Sequence, residues 1–167
     1  MTIVYQSKTG FTKQYAELLG ESEHVEVLPL KEAEQKLSSS TPVLFLGPLS
    51  AGRISGLKRA RNAFLLRGVC GVGMSPPSPE LTEKLRQDNQ LGGLPVFYLQ
   101  GGWAPERVSP MTRAMVQLVT RSTRRALQAK GADRTPREEA MLDLLLRGGS
   151  FVSPDNLPPL QNWLSKQ

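Results

Sequence analysis

The chain has 167 residues, 39% of them hydrophobic and 22% charged, with a net charge of +6 and a pI near 9.8. That is the size of one ordinary domain with room for a substantial core, and no apolar run approaches the roughly 20 residues that cross a bilayer. The N-terminus lacks a basic segment ahead of an apolar signal core, and the one cysteine, Cys70, excludes an internal disulfide and a multi-cysteine metal or iron–sulfur centre, so a cytoplasmic protein is the expectation.

Thr2–Gln6, short, apolar and rich in β-branched residues, predicts a buried strand. Lys13–Gly20 predicts a helix with Tyr15, Ala16, Leu18 and Leu19 on its apolar face and Gly20 as its stop. His24–Leu30 alternates as a second strand, with His24, the lone histidine, at an edge or surface position, and Lys31–Leu37 is a short helix. After the polar break Ser38–Thr41, Val43–Leu46 is a third strand closed by Gly47-Pro48. Ser55–Leu66 returns to helix, with Leu57, Ala60 and Phe64 at helical spacing. Val69–Met74 is a fourth strand, ended by Pro76, Pro77 and Pro79, and Cys70 inside it reads as a buried structural thiol. Glu80–Asn89 is helical, and Gly92-Gly93 turns into a fifth strand, Pro95–Gln100. Strands and helices alternating at this length imply a parallel sheet covered on both faces, a three-layer α/β/α sandwich up to Gly101.

The remainder departs from that alternation. Pro110–Lys130 reads as one long helix with Met111, Ala114, Met115, Leu118, Val119 and Ala126 along one side. Thr135–Arg147 is a second helix, with Pro136 suited to its first turn and Gly148-Gly149 to its end. Ser150–Ser153 reads as a short edge strand and Pro158–Leu164 as a closing helix. Nothing marks a second domain, so residues 1–167 are expected to form one. From Arg107 to Arg137 the cations are Arg107, Arg113, Arg121, Arg124, Arg125, Lys130, Arg134 and Arg137, against Asp133 alone. Such a block either is a solvated helix face or attracts anions: nucleic acid, phospholipid headgroups, or an acidic partner or ligand.

The most informative stretch is IVYQSKTGFTKQYAELL, Ile3–Leu19. A strand followed by a polar, glycine-containing loop and a helix is an anion site, because the helix opens with unpaired N–H groups and the positive end of its dipole. Ser7, Thr9 and Thr12 add hydroxyl donors, Gly10 lets the backbone approach a ligand, and Lys8 carries a full charge. The bland alternative is a loop capped by Thr12. Neither GxxxxGK[ST] nor GxGxxG is present.

In that context Ile3, Val4, Tyr5, Ser7, Gly10, Thr12, Ala16 and Leu19 stand where the flavodoxin signature has its apolar, aromatic, hydroxyl, small and aliphatic positions. The segment resembles the flavodoxin family. The resemblance implies a flavodoxin-like sandwich, a five-stranded parallel sheet in order 2-1-3-4-5 with extra C-terminal helices, and FMN at the carboxyl ends of strands one, three and four. It assigns the phosphate to Ser7, Lys8, Thr9, Gly10, Phe11 and Thr12. It assigns the flavin's N5 edge to a flexible backbone in Gly47–Gly56, where Pro48, Leu49, Ser50, Ala51, Gly52 and Arg53 fit, small residues letting the main chain reach the ring. It assigns a further ring loop to Gly73, Met74, Ser75 and Pro76, which lack the usual stacking aromatic; Trp103, beyond strand five, is the substitute on offer. No catalytic side chain and no metal ligand is implied, since the cofactor carries the chemistry.

The flavodoxin branch with the better overall match is the one containing menaquinone-dependent protoporphyrinogen oxidase, whose extra basic, Met-rich helix Pro110–Lys130 resembles. Three functions of different classes follow as expectations. The first is an FMN oxidoreductase passing reducing equivalents from a porphyrinogen to a quinone, peripheral at the inner face of the membrane. The second is a one-electron carrier that docks a redox partner protein. The third is a flavin-free interaction module with a basic surface. Electron-carrying flavodoxins are acidic, and a unit charge about 6 Å from the reduced ring at an effective dielectric of about 20 shifts its energy by roughly 3 kcal/mol, on the order of 100 mV for one electron. The basic balance here therefore favours the enzyme. Nucleic acid is disfavoured because the basic helix carries no aromatic residue for stacking.

Overall fold

The computed structural model describes residues 1–167. The chain divides into two compact units, Met1–Gly101 with Val152–Gln167, and Gly102–Phe151. In chain order the first unit has β1 (Thr2–Tyr5), α1 (Phe11–Glu23), β2 (Val27–Pro29), α2 (Leu30–Lys36), β3 (Pro42–Ser50), β4 (Arg53–Ile54), α3 (Leu57–Ala63), β5 (Leu65–Gly73), α4 (Pro79–Asp88) and β6 (Val96–Gln100). The second has β7 (Gly102–Trp103), α5 (Pro110–Val119), α6 (Arg121–Ala129), α7 (Pro136–Arg147) and β8 (Gly149–Ser150). The chain then returns to the first unit for α8 (Pro158–Leu164).

The main sheet runs β2-β1-β3-β5-β6, every pair parallel, with β4 turned back antiparallel on the end of β3. Counted by parallel strands alone, the order is 2-1-3-4-5, which makes this a flavodoxin-like doubly wound α/β fold. Its central strands are buried on both faces, as parallel strands must be. Ile3 and Val4, and then Val43, Leu44, Phe45 and Leu46, are all fully buried although they alternate in direction. One face packs Val4, Val43, Phe45 and Val69 with Leu57, Ala60 and Leu85 from the helices. Tyr15, Ala16 and Leu19 of α1 and Leu160 of α8 are also fully buried, and Cys70 is buried within β5, its thiol pushed up by that burial.

The structure corrects several sequence expectations. Gly20 does not stop α1: a Cβ there would come 3.0 Å from the Val25 carbonyl, so this glycine serves a close approach, and the helix runs on to Glu23 with His24 in the left-handed region closing it. His24 is thereby a helix cap, and β2 begins only at Val27. The helix expected to Leu66 ends at Ala63, because Phe64–Gly68 alternates between buried and exposed and joins β5. The single helix Pro110–Lys130 is two, broken at Thr120, whose hydroxyl and N–H both bond the Val116 carbonyl, at 2.7 and 2.9 Å. The apolar side predicted for that helix is not a core face either, as α5 buries none of its residues.

In the second unit β7 and β8 pair antiparallel, and Trp103, the aromatic offered for ring stacking, is buried in that ribbon. The edge strand expected at Ser150–Ser153 is instead Gly149–Ser150. α7 is the best-capped helix: Thr135 and Glu138 form a reciprocal capping box and Pro136 holds the first turn. Lys130 bonds Glu138, which with the helix cap holds that carboxyl below its ordinary value.

Candidate functional site

At the carboxyl end of β1 the chain turns out of the sheet, Gln6 donating its N–H to the Leu46 carbonyl at 2.9 Å. Ser7 Oγ then accepts from the Gly10 N–H at 3.1 Å, which folds the loop into a tight crook. Gly10 has φ 99°, a value that a side chain resists, and this lets the chain swing directly into α1. No side chain caps α1 and no acidic residue stands in its first turn. The N–H groups of Phe11, Thr12 and Lys13 therefore open the helix without an intrahelical acceptor, at the positive end of its dipole.

Beside this turn lies a cavity of about 570 Å³. Tyr5 and Gln6 from the end of β1, Ser7, Lys8 and Gly10 from the loop, and Lys13, Lys31 and Arg59 from three different helices contribute to its wall. Lys13 lies 3.5 Å from Glu17, and Arg59 is held by both carboxylate oxygens of Glu34, so Lys8 and Lys31 are the wall's cations not engaged in a salt bridge. Burial raises the Tyr5 phenol, with Lys13 pulling the other way, so it remains a neutral donor in the wall. The wall thus combines four cations with orphaned amides, the donor set of an anion site.

Of the six residues assigned to the phosphate, Ser7, Lys8 and Gly10 line the cavity. Thr9, Phe11 and Thr12 do not, and Phe11 and Thr12 have buried side chains. None of Pro48–Arg53 lines it either. The expected flexible loop there is a hairpin: β3 continues through Gly47 and Pro48 to Ser50, Ala51 and Gly52 form a two-residue turn with φ 48° and 77°, and Arg53–Ile54 returns. Two positive φ values define the turn type that matches the twist of paired strands. The cause lies outside the segment. Asn89, buried at the end of α4, accepts from the Ile54 N–H and donates to the Gly52 and Leu85 carbonyls, each at 2.9 Å.

The third assigned loop is fastened as well. Tyr98 donates to the Ser75 carbonyl at 2.7 Å, Gln100 to the Met74 carbonyl at 3.1 Å, and the Gly101 N–H to the Gly73 carbonyl at 2.7 Å. Pro76 is exposed and follows directly. Lys31 and Arg59 in the cavity wall, and Asn89, Tyr98 and Gln100 beneath the two other loops, are neighbours of the candidate site that the sequence does not announce. Asn89 has the context of an ordinary helix end, and Lys31 and Arg59 lie 19 and 47 residues beyond Thr12, where the motif ends; no local signal connects them.

No family model and no curated protein matches this sequence. Among solved structures the chain is similar to a flavodoxin from the domain Archaea, with 20% identity over 59% of this chain and 81% of that one, at a TM-score of 0.37. A likeness that slight says nothing of what this chain does.

Proposed function

We propose that the chain binds FMN by its phosphate in the Ser7–Lys13 turn and works as an oxidoreductase. The observation that carries this reading is the uncapped N-terminus of α1, entered through Gly10 in the left-handed region and flanked by Lys8, Lys13, Lys31 and Arg59. A dianionic monoester fits that donor set. Ser7 and the loop amides would hold its oxygens, and Lys8 would neutralise its charge. The fit concerns the phosphate end, since the two loops assigned to the ring bond to their own surroundings.

When bound, FMN supplies the exchange of electrons between donor and acceptor. The chain's contribution is binding and electrostatics. Were the ring to lie within reach of the wall's cations, they would favour its more negatively charged state, raising the reduction potential and suiting an acceptor of reducing equivalents better than a low-potential donor. The finer reading is an enzyme that takes electrons from a porphyrinogen and delivers them to a quinone.

Calorimetry with FMN tests the site. Binding is expected for the native chain, and Gly10→Val should weaken it by about tenfold or more, because a side chain at φ 99° displaces the crook. Equal affinity in the two proteins removes the site. If FMN binds but the reduced protein transfers electrons to a redox protein and never to a soluble menaquinone analogue, the enzyme reading gives way to the carrier.

A further inference from the structure

α5 leaves uncovered the apolar side chains that a helix ordinarily buries. Met111 is 83% exposed, Met115 55%, Leu118 70% and Val119 71%. With about 3.6 residues per turn, these four and Ala114 fall within an arc of about 140°. Thr112, Val116 and Thr120, all half-buried, lie along one flank of that arc. The stripe is therefore not a fraying helix end but an entire outward face.

The chemistry around it is one-sided. From Pro110 to Ala129 there is no acidic residue, while Arg113, Arg121, Arg124 and Arg125 are present. Arg113 is folded back on the Pro105 carbonyl and Arg124 on that of Gln117. Arg121 and Arg125 stand exposed on α6, whose one buried residue is Leu127. An apolar face that runs into unpaired cations is the pattern of a helix lying in a lipid interface.

We propose that α5 lies in the surface of an anionic phospholipid bilayer, with Met111, Met115 and Leu118 among the upper acyl chains and Arg121 and Arg125 at the headgroups. No helix is long and apolar enough to cross a membrane, so the helix lies in the plane of the surface. A second copy of the chain is a poorer occupant, because two such faces would bring arginines together with no acidic residue between Pro110 and Ala129 to pair them. A protein partner is also poorer: a stable interface engages about 20–30 residues a side, far more than this stripe. Attachment would bring the chain to a lipid-soluble acceptor, but it needs no flavin.

Sedimentation with vesicles tests it, using phosphatidylcholine alone and phosphatidylcholine mixed with phosphatidylglycerol. The native chain should bind the mixed vesicles, weaken with added salt, and bind the neutral ones at least tenfold less well. Arg121→Gln with Arg125→Gln should lower affinity by about 25-fold, each cation contributing about fivefold, and Met115→Ser with Leu118→Ser by about tenfold or more. All four residues are exposed, so these variants should melt like the native protein. Because Cys70 is buried, a polarity-sensitive dye attached through Leu118→Cys reports this site alone and should shift to the blue on binding. Three results would each overturn the proposal: no binding to the mixed vesicles at low salt, binding without a dye shift, or a native dimer that Leu118→Ser makes monomeric while vesicle binding is unchanged.

Discussion

The turn after β1 and the turn after β3 leave the same sheet from neighbouring strands and use similar residues, glycine and small or hydroxylic side chains, yet they end in opposite states. In the first, Gly10 swings the chain into a helix whose opening amides have no side-chain cap. In the second, Gly52 and Ala51 turn the chain back on itself, and Asn89 takes up what the turn exposes. A small-residue loop is thus ambiguous in a way no local rule resolves. The groups it leaves unpaired are available to a ligand only if nothing else in the fold reaches them.

The sharpest way to break that contrast is to remove the residue that creates it. Asn89→Ala strands the Ile54 N–H and the Gly52 carbonyl, in part where no water reaches, while the Leu85 carbonyl keeps the backbone N–H of residue 89. Unsatisfied buried groups cost about 1–3 kcal/mol each, and some relaxation is expected at the exposed turn, so a loss of about 2–4 kcal/mol should appear in urea unfolding. A loss under about 1 kcal/mol would mean that the hairpin holds itself and that Asn89 merely sits beside it.

A smaller effect belongs to the loop after β5. Tyr98→Phe removes the donor to the Ser75 carbonyl and should cost about 1–1.5 kcal/mol at neutral pH. The same substitution carries a pH signature. Burial raises the Tyr98 phenol well above its ordinary value, and it raises Tyr15 too, opposed there by the Asn156 bond. A proton held more tightly in the folded state gives stability that is fully present below the unfolded value of about 10 and is lost as pH climbs toward the folded one. The buried Cys70 thiol, raised in the same way, should make the native chain weaken from about pH 8.5 upward, and the two tyrosines should steepen that loss from about pH 10, by as much as about 1.4 kcal/mol per pH unit for each such group. Tyr98→Phe should flatten that slope by one group. An unchanged alkaline slope would place the titration elsewhere.

What the sequence could and could not reveal follows the same division between local pattern and distant partner. The β1–α1 turn is legible because the apolar run, the glycine and the helical period lie within 17 residues, Ile3–Leu19, and Cys70 is legible because it sits inside the apolar run Gly68–Met74. Composition argues for a turn at Gly47-Pro48 and so for an end to β3 there, although the strand runs on: Pro48 pairs in register with Val72 and its carbonyl accepts from Ser55 at 2.9 Å. The period of Met111, Met115 and Leu118 correctly marked one side of a helix. Periodicity says only that a face is apolar, not that anything covers it, and the break at Thr120 has neither glycine nor proline to announce it.

The least change asks whether the second turn is as tight as its φ values require. Ala51 holds φ 48°, where an L side chain costs about 1–2 kcal/mol relative to glycine. Glycine in its place relieves that strain but gives the unfolded chain more freedom, which costs about 0.4–1 kcal/mol. Ala51→Gly should therefore stabilise by about 0.5 kcal/mol, a rise in melting temperature of about 1–2 °C for a chain of this size. The sign matters more than the size. An open loop would sample unstrained conformations, and glycine would then bring only the entropic loss, so a lowered melting temperature would show that Ala51 is not fixed in the left-handed region and that this turn, like the first, is available to a ligand.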